Sequence, residues 1–204
     1  MKIVRNIIFD LGGVLLDIDF KKTSAAFEKL GISKFDNYYS QHSANELFEK
    51  LETGQITAQY FYDAIKQHCQ ADTTDQQVQV AWNALLLHFR KESINALLEL
   101  KNRYDIYLLS NTNGIHQKSF EKTYQQETGL LSLDHCFKKS YYSHIIHMRK
   151  PYRSTYDFVL KDAGLLAEET LFIDDSYGNI SGAIAAGLHT HLLLPEEKIE
   201  NLDL

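Results

Sequence analysis

The amino-terminal stretch 7–17 places an acidic residue directly after a short apolar run. Residues 7–9 are all apolar, without the alternation of a half-exposed strand, and this pattern is typical of a strand buried on both faces of a parallel sheet. Gly12 and Gly13 follow Asp10 and allow the backbone to turn tightly after the strand. Because open α/β sheets bind ligands at the carboxyl ends of their strands, the stretch predicts Asp10 at a ligand-binding edge.

Strand and helix patterns alternate in the second half of the chain. Apolar runs predict further strands at 106–109, 141–144, 170–173 and 191–194. The region after Gly114 is predicted to be less regular. Strands that alternate with helices imply right-handed crossovers, so we predict an α/β fold with a doubly wound, mainly parallel sheet.

The segment from Phe20 to Arg90 differs, because it contains helical patterns and no convincing strand. Apolar residues recur there at three- and four-residue spacing, and one helix face is expected to contain Val78, Trp82, Leu85 and Leu86. The tyrosines near residues 38 and 39 are expected to pack inside this block.

This helical block lies between the first two predicted strands of the sheet, so it should emerge above Asp10. We predict a core domain formed by residues 1–17 and 91–204. Residues 18–90 are predicted to form an inserted helical cap.

Charge and cysteine content exclude several classes of protein. The formal net charge of -6 argues against nucleic-acid binding, which needs clustered Lys and Arg. The two cysteines, Cys69 and Cys136, form no CxxC motif, so a reducing compartment fits best. No signal-length or membrane-spanning apolar run is apparent, and we expect a cytoplasmic protein without a membrane partner.

Several polar features at predicted strand ends converge on one rim of the sheet. These features are Asp10, Ser110 with Asn111, Lys150, and Asp174 with Asp175. Paired carboxylates suit magnesium (Mg2+), whereas a lysine, a hydroxyl and backbone N–H groups suit phosphate oxygens. The predicted ligand is therefore a small phosphorylated compound. Spacing alone leaves open whether Asp10 is a metal ligand or a nucleophile that forms an aspartyl-phosphate.

The order of four motifs resembles one known family. The motifs are Phe9-Asp10-Leu11-Gly12-Gly13-Val14, Leu109-Ser110-Asn111, Met148-Arg149-Lys150-Pro151 and Phe172-Ile173-Asp174-Asp175-Ser176. Together they resemble the haloacid dehalogenase (HAD) superfamily of hydrolases, which implies a Rossmann-like core with a helical cap between the first and second motifs.

The resemblance implies a role for each motif residue. Asp10 would attack phosphorus, while Ser110 and Lys150 would hold the transferring phosphoryl group. The implied phosphate-binding residues are Leu11, Gly12, Ser110, Asn111 and Lys150. The implied magnesium ligands are Asp10, the carbonyl of Gly12, Asp174 and Asp175.

Gly12 departs from the pattern of most phosphatases that the chain resembles, which carry a second Asp there as general acid and base. Such assistance contributes roughly two to four powers of ten in rate. Sequences with Phe-Asp-Leu-Gly and Met-Arg-Lys-Pro resemble a bacterial glucose-1-phosphatase branch, whose anomeric leaving group needs less protonation. Asp17 and Asp19 are expected to be structural residues at the hinge and helix start rather than substitutes for the missing acid.

The expected function is therefore a magnesium-dependent phosphomonoesterase that acts on a sugar phosphate. One alternative is a metal-independent haloacid dehalogenase, against which the acidic pair argues because it would repel an acidic substrate. The other alternative is a non-catalytic phospholigand-binding or interaction module, which the absence of the second Asp at Gly12 supports.

Overall fold

The structure is a computed structural model that describes residues 4–35 and 45–204. Along the chain the regular elements are β1 (Asn6–Phe9), β2 (Leu16–Ile18), α1 (Phe20–Lys29), α2 (Glu46–Glu52), α3 (Ala58–Lys66), α4 (Asp75–Asn83), β3 (Leu86–Phe89), α5 (Lys91–Leu100), β4 (Asp105–Ser110), α6 (Gly114–Thr128), β5 (Lys139–Tyr142), α7 (Ser143–Ile146), α8 (Arg153–Ala163), β6 (Thr170–Asp174), α9 (Tyr177–Ala185) and β7 (His189–Leu192). Tyr38 and Tyr39 lie outside the described residues, so their packing stays a prediction.

A five-stranded parallel sheet forms the centre of the molecule, with strand order β5-β4-β1-β6-β7. Strand β1 is central, since Phe9 pairs with Leu108 of β4 on one side and with Ile173 of β6 on the other. Successive residues of β1 enter different hydrophobic clusters: Ile7 faces the cluster that includes α5 and α6, and Ile8 faces that of α8 and α9. The predicted doubly wound α/β fold, with helices on both faces of the sheet, is confirmed.

Helices α1 to α4 form what we call the helical unit, which has a hydrophobic cluster of its own. Trp82 is fully buried there, with its ring centroid 5.2 Å from that of Phe48 and 5.3 Å from that of Phe61. Asp19 begins α1 by accepting a hydrogen bond from the Lys21 N–H, and Thr57 caps α3 by accepting from the Tyr60 N–H. The apolar faces of these helices meet in this cluster, which Ile115 of α6 also joins.

The two linkers of the helical unit contain strands, which corrects the expectation of helix throughout this segment. Strand β3 pairs antiparallel with β2, placing Leu16 opposite Phe89 and Ile18 opposite Leu86. Helix α4 already ends at Asn83, so Leu86 does not share a face with Trp82. The pairing joins residues far apart in sequence, and no local period reveals it.

Three predicted elements downstream also differ from the structure. The region after Gly114 forms the 15-residue helix α6. The sequence did not indicate this helix, because it contains many polar residues and its apolar residues show only a weak helical period. Strand β5 spans Lys139–Tyr142 rather than 141–144, because α7 begins at Ser143. Strand β7 spans His189–Leu192 rather than 191–194, and its pairing with β6 sets these limits.

No helix among the described residues is both long and apolar enough to span a bilayer.

Candidate active site

Asp10 directly follows β1 and lies at the carboxyl edge of the sheet, as predicted. Its backbone N–H donates to the Ile173 carbonyl at 2.9 Å, which extends the parallel pairing by one residue. The residue is 8% exposed. The central strand thus delivers a nearly buried carboxylate to the ligand-binding edge.

Lys150 brings a buried ammonium group against two carboxylates. Its Nζ lies 2.7 Å from Asp10 Oδ1 and 2.6 Å from Asp174 Oδ2, and the residue is 1% exposed. Asn111 holds the backbone of this residue, since its side-chain amide donates to the Lys150 carbonyl and accepts from the Lys150 N–H, each at 2.9 Å. The lysine is therefore fixed at both its main chain and its charged end.

Asp174 is held by several donors. The Ser176 N–H donates to its Oδ1 at 2.8 Å, and the Asn179 amide donates to both carboxylate oxygens at 3.0 Å. Tyr156 in turn donates to the Asn179 carbonyl at 2.7 Å. Neither Asn179 nor Tyr156 is among the predicted site residues, although an amide in the first turn after the acidic pair is a signal that could have indicated Asn179.

Asp175 completes the carboxylate group, since ligand atoms of Asp10, Asp174 and Asp175 all lie within 4.8 Å of one another. Gly13 allows this arrangement. Its φ is +77°, and a Cβ placed on it would lie 2.2 Å from Asp175 Oδ2. Any side chain at position 13 would therefore push the Asp175 carboxylate away.

The electrostatics of the site show an excess of negative charge. Burial raises the pKa of Asp10 to about 8, with Asp174 and Asp175 adding to the rise and Lys150 opposing it. Burial by itself lowers the pKa of Lys150, but the carboxylates of Asp10 and Asp174 outweigh burial and hold the pKa above its ordinary value. A single ammonium thus does not neutralise three carboxylates, and the oxygen-rich cluster fits a hard divalent cation.

The remaining predicted phosphate-binding residues surround this centre less directly. Ser110 ends β4, next to β1, and is 3% exposed. The Leu11 side chain packs in the hydrophobic core, so only its backbone is available to a ligand. Both polar atoms of the Asn111 amide are used on the Lys150 backbone. A phosphate contact from Asn111 therefore stays a prediction, with its backbone N–H as the remaining donor.

Gly12 has little room for a side chain in the present arrangement. A Cβ on Gly12 would lie 3.1 Å from Ile18 Cδ1, at the far end of a flexible side chain. Asp17 is engaged elsewhere, because its carboxylate accepts from Arg90, which also donates to the Val14 carbonyl. Asp19 caps α1. Asp19 therefore lies at the helix start, as expected, and Asp17 lies in β2 with Arg90 as its partner.

With a divalent cation bound to the carboxylates, this arrangement could accept a dianionic group and present a carboxylate oxygen to it. The order of the motifs, the parallel sheet and the strand-end site together define a class of protein. The sequence model of the haloacid dehalogenase-like hydrolases matches residues 4–187, and the chain belongs to this family. The predicted hydrolase family is thereby confirmed.

Individual relatives extend the comparison. The chain is 32% identical over 188 residues to the D-ribitol-5-phosphate phosphatase of Bacteroides thetaiotaomicron, an alignment that covers 92% of this chain and 90% of the relative. An aspartate-to-alanine variant of a HAD family enzyme from Bacteroides thetaiotaomicron, solved in complex with magnesium and inorganic phosphate, has a TM-score of 0.90 at 32% identity and 96% coverage of each chain. A HAD-like family hydrolase from Porphyromonas gingivalis has a TM-score of 0.86 at 29% identity, covering 96% of this chain and 93% of that one.

Proposed function

We propose that the protein is a magnesium-dependent phosphomonoesterase that hydrolyses a small phosphorylated metabolite, a sugar or polyol phosphate, through an aspartyl-phosphate intermediate. The observation that carries the proposal is the Lys150 ammonium held 2.7 Å from Asp10 and 2.6 Å from Asp174. The similarity to a D-ribitol-5-phosphate phosphatase, and to a structure that holds magnesium and phosphate, supports it.

The reaction begins with in-line attack by an Asp10 carboxylate oxygen on phosphorus. The P–O bond to the leaving group breaks as the bond to Asp10 forms, and water then hydrolyses the aspartyl-phosphate to release inorganic phosphate. Lys150 and the Ser110 hydroxyl neutralise the phosphoryl oxygens during transfer. Asn111 supports this step by fixing the Lys150 backbone.

The carboxylates of Asp10, Asp174 and Asp175, together with the Gly12 carbonyl, would hold magnesium. When bound, the cation draws negative charge from the phosphoryl oxygens and from Asp10. Asn179 and the Ser176 N–H keep the Asp174 carboxylate in orientation, and Gly13 leaves space for Asp175.

The leaving oxygen receives no proton from position 12, where Gly12 has no side chain. It therefore takes its proton from water, and substrates with good leaving groups are favoured. An anomeric phosphate has a good leaving group, which is consistent with the proposed relation to the glucose-1-phosphatase branch. The relative named above acts instead on a pentitol phosphate, so both substrate types belong in the test.

The helical unit is proposed to act as a cap that selects the leaving group. In this proposal residues 18–90 form the cap and residues 1–17 and 91–204 the catalytic core. The cytoplasmic location, a small-molecule substrate and the absence of a nucleic-acid partner also remain proposals.

The test is a phosphate-release screen of purified protein against phosphomonoesters, including D-ribitol 5-phosphate and glucose 1-phosphate, with magnesium or with a chelator. We expect release with magnesium, loss of release with the chelator, and a decrease of at least about a thousandfold in kcat for Asp10→Asn, because the nucleophile is removed. Asp19→Asn is the matched control, since Asn caps a helix as well as Asp and the residue lies outside the site.

Other outcomes would identify the alternatives. Full phosphatase activity in Asp10→Asn would refute the assignment of the nucleophile. Halide release that a chelator leaves unchanged would establish a dehalogenase. Binding of phosphorylated metabolites without phosphate release would establish a non-catalytic module.

A further inference from the structure

The end of α2 contacts the segment that leads into Lys150. Glu52, the last residue of α2, has its Oε2 3.0 Å from Arg149 Nη2, and the two side chains are 4% and 18% exposed. The Glu46–Lys50 pair on the same helix is 82% and 43% exposed. Water screens an exposed pair much more than a shielded one. The Glu52–Arg149 pair is therefore the stronger candidate for carrying energetic coupling.

The position of Glu52 is unfavourable for the helix alone. A carboxylate at the C-terminal end of a helix faces the negative end of the helix dipole. Burying it without a partner would be costlier still. Arg149, which lies outside the helical unit, supplies the compensating charge. Docking of α2 on the core, rather than helix stability, thus explains the carboxylate.

Further contacts accompany the Glu52–Arg149 pair. Glu49 Oε1, on the same helix, lies 3.9 Å from Arg149 Nη1 and accepts a hydrogen bond from the Tyr152 hydroxyl at 3.2 Å. The carbonyl of Thr53, at the end of α2, lies 2.8 Å from His147 Nδ1, and this nitrogen must donate because a carbonyl only accepts. Gly54 has a φ of +67°, and a Cβ on it would lie 2.3 Å from the His144 carbonyl oxygen. The two backbones therefore touch where only glycine fits.

The same core segment carries Lys150. The Thr155 hydroxyl donates to the Arg149 carbonyl at 2.7 Å, so the main chain of Arg149 is tied to the core while its side chain is tied to α2. Lys150 follows immediately, with its Nζ against Asp10 and Asp174. A displacement of α2 would consequently be transmitted to the backbone that supports this ammonium group.

We propose that Glu52 and Arg149 are positioning residues that couple docking of the helical unit to placement of the Lys150 ammonium. This rests on the proposed function, in which Lys150 binds the phosphoryl group. With the ion pair intact, Lys150 is held where it meets the phosphate. With the pair broken, the supporting backbone relaxes, and phosphate affinity and turnover fall together.

The experiment compares Glu52→Gln, Arg149→Met and the double variant with wild type, using Glu46→Gln as the matched control on the same helix. Calorimetry measures the affinities for inorganic phosphate in the presence of magnesium and for magnesium alone, and steady-state kinetics measures kcat. We expect each single variant to lose about tenfold in phosphate affinity and in kcat. The double variant should lose no more phosphate affinity or kcat than the single variant that is more strongly impaired, because the two residues act as a unit.

Magnesium affinity separates positioning from general destabilisation. It should not fall in any variant, because moving the Lys150 ammonium away from Asp10 and Asp174 does not weaken the attraction of these carboxylates for a cation. Glu46→Gln should match wild type in every measurement. Circular dichroism confirms that each variant folds.

The proposal is overturned if Glu52→Gln binds phosphate as wild type does, or if the single losses multiply in the double variant. An equal loss of magnesium and phosphate affinity would also overturn it, because that result indicates a loosened fold. If wild type binds phosphate but hydrolyses no phosphomonoester, the proposed function fails, and the comparison of phosphate affinities still decides the coupling.

Discussion

Asp10 is buried beside Asp174 and Asp175, with the single ammonium of Lys150 against it. Burial raises the pKa of Asp10 from 3.8 to about 8, and the neighbouring carboxylates add to the rise. At neutral pH and without a cation, the folded protein therefore keeps a proton on Asp10, whereas this group is ionised in the unfolded chain. The same charge excess that attracts magnesium makes the site sensitive to pH.

We expect the metal-free protein to lose stability as pH rises. The folded-state pKa of Asp10 exceeds its unfolded value, so its contribution to stability is fully present below about pH 4 and is lost as pH rises through about 8. Thermal unfolding in a chelator, followed from about pH 5 to about pH 9, should show a steeper decrease of Tm in wild type than in Asp10→Asn.

Magnesium should abolish this difference at the alkaline end, because the cation replaces the proton as counter-charge. Equal pH dependence of Tm in wild type and Asp10→Asn would contradict the assignment of the elevated pKa.

At the level of single elements, α6 begins directly after the Ser110 strand end. Asn113 is its N-cap and is fully buried, with Oδ1 accepting from the Ile115 N–H at 3.1 Å and the His116 N–H at 3.0 Å. Gly129, with a φ of 73°, ends the helix. The caps therefore define the two ends of a helix that has no clear apolar period in its sequence.

Asn113→Ala should lower the free energy of unfolding by about 1 kcal/mol, because the orphaned N–H groups at the start of α6 lose their acceptor. Asn113→Ser keeps an acceptor and removes the Nδ2 group, which is buried without a hydrogen-bond partner among the described residues. Urea unfolding should therefore show that the Asn113→Ser variant is more stable than the Asn113→Ala variant. Equal stability of the two variants would show that the cap contributes nothing.

At the scale of the whole molecule, several contacts join the helical unit to the core. Trp82 stacks on His116 of α6, with ring centroids 4.5 Å apart. Burial lowers the pKa of His116 to about 3, so this ring is neutral at ordinary pH. Arg90 bonds both Asp17 and the Val14 carbonyl, which ties the two linkers together. These contacts favour unfolding of the two parts as one unit.

Trp82 is the single tryptophan of the chain and can report on this coupling. Its emission should change when the helical unit separates from the core, because separation would expose the Trp82–His116 contact. If the two parts unfold together, this change should coincide with the loss of far-UV circular dichroism in urea. Arg90→Met should separate the two transitions by releasing the linkers. A change in emission well before the loss of circular dichroism in wild type would show that the helical unit undocks independently.

Much of the sheet was predictable because its signals are local. The unalternating apolar run before Asp10 predicted a strand buried on both faces. The polar residues at the strand ends predicted a site at one edge of the sheet. By contrast, β3 was missed because its partner β2 lies at the other end of the insertion. Asn111 shows the same limit within the site, since nothing local indicates that its side chain holds the Lys150 backbone.

The sequence by itself determined the order along the chain of the five parallel strands, the acidic and basic residues at the strand ends, and the absence of a side chain at Gly12. These properties depend on local period and residue identity. Only the tertiary structure decided which side chains meet: Asn179 with Asp174, and Glu52 with Arg149. Such contacts arise when elements dock, and docking joins residues whose separation along the chain leaves no local pattern.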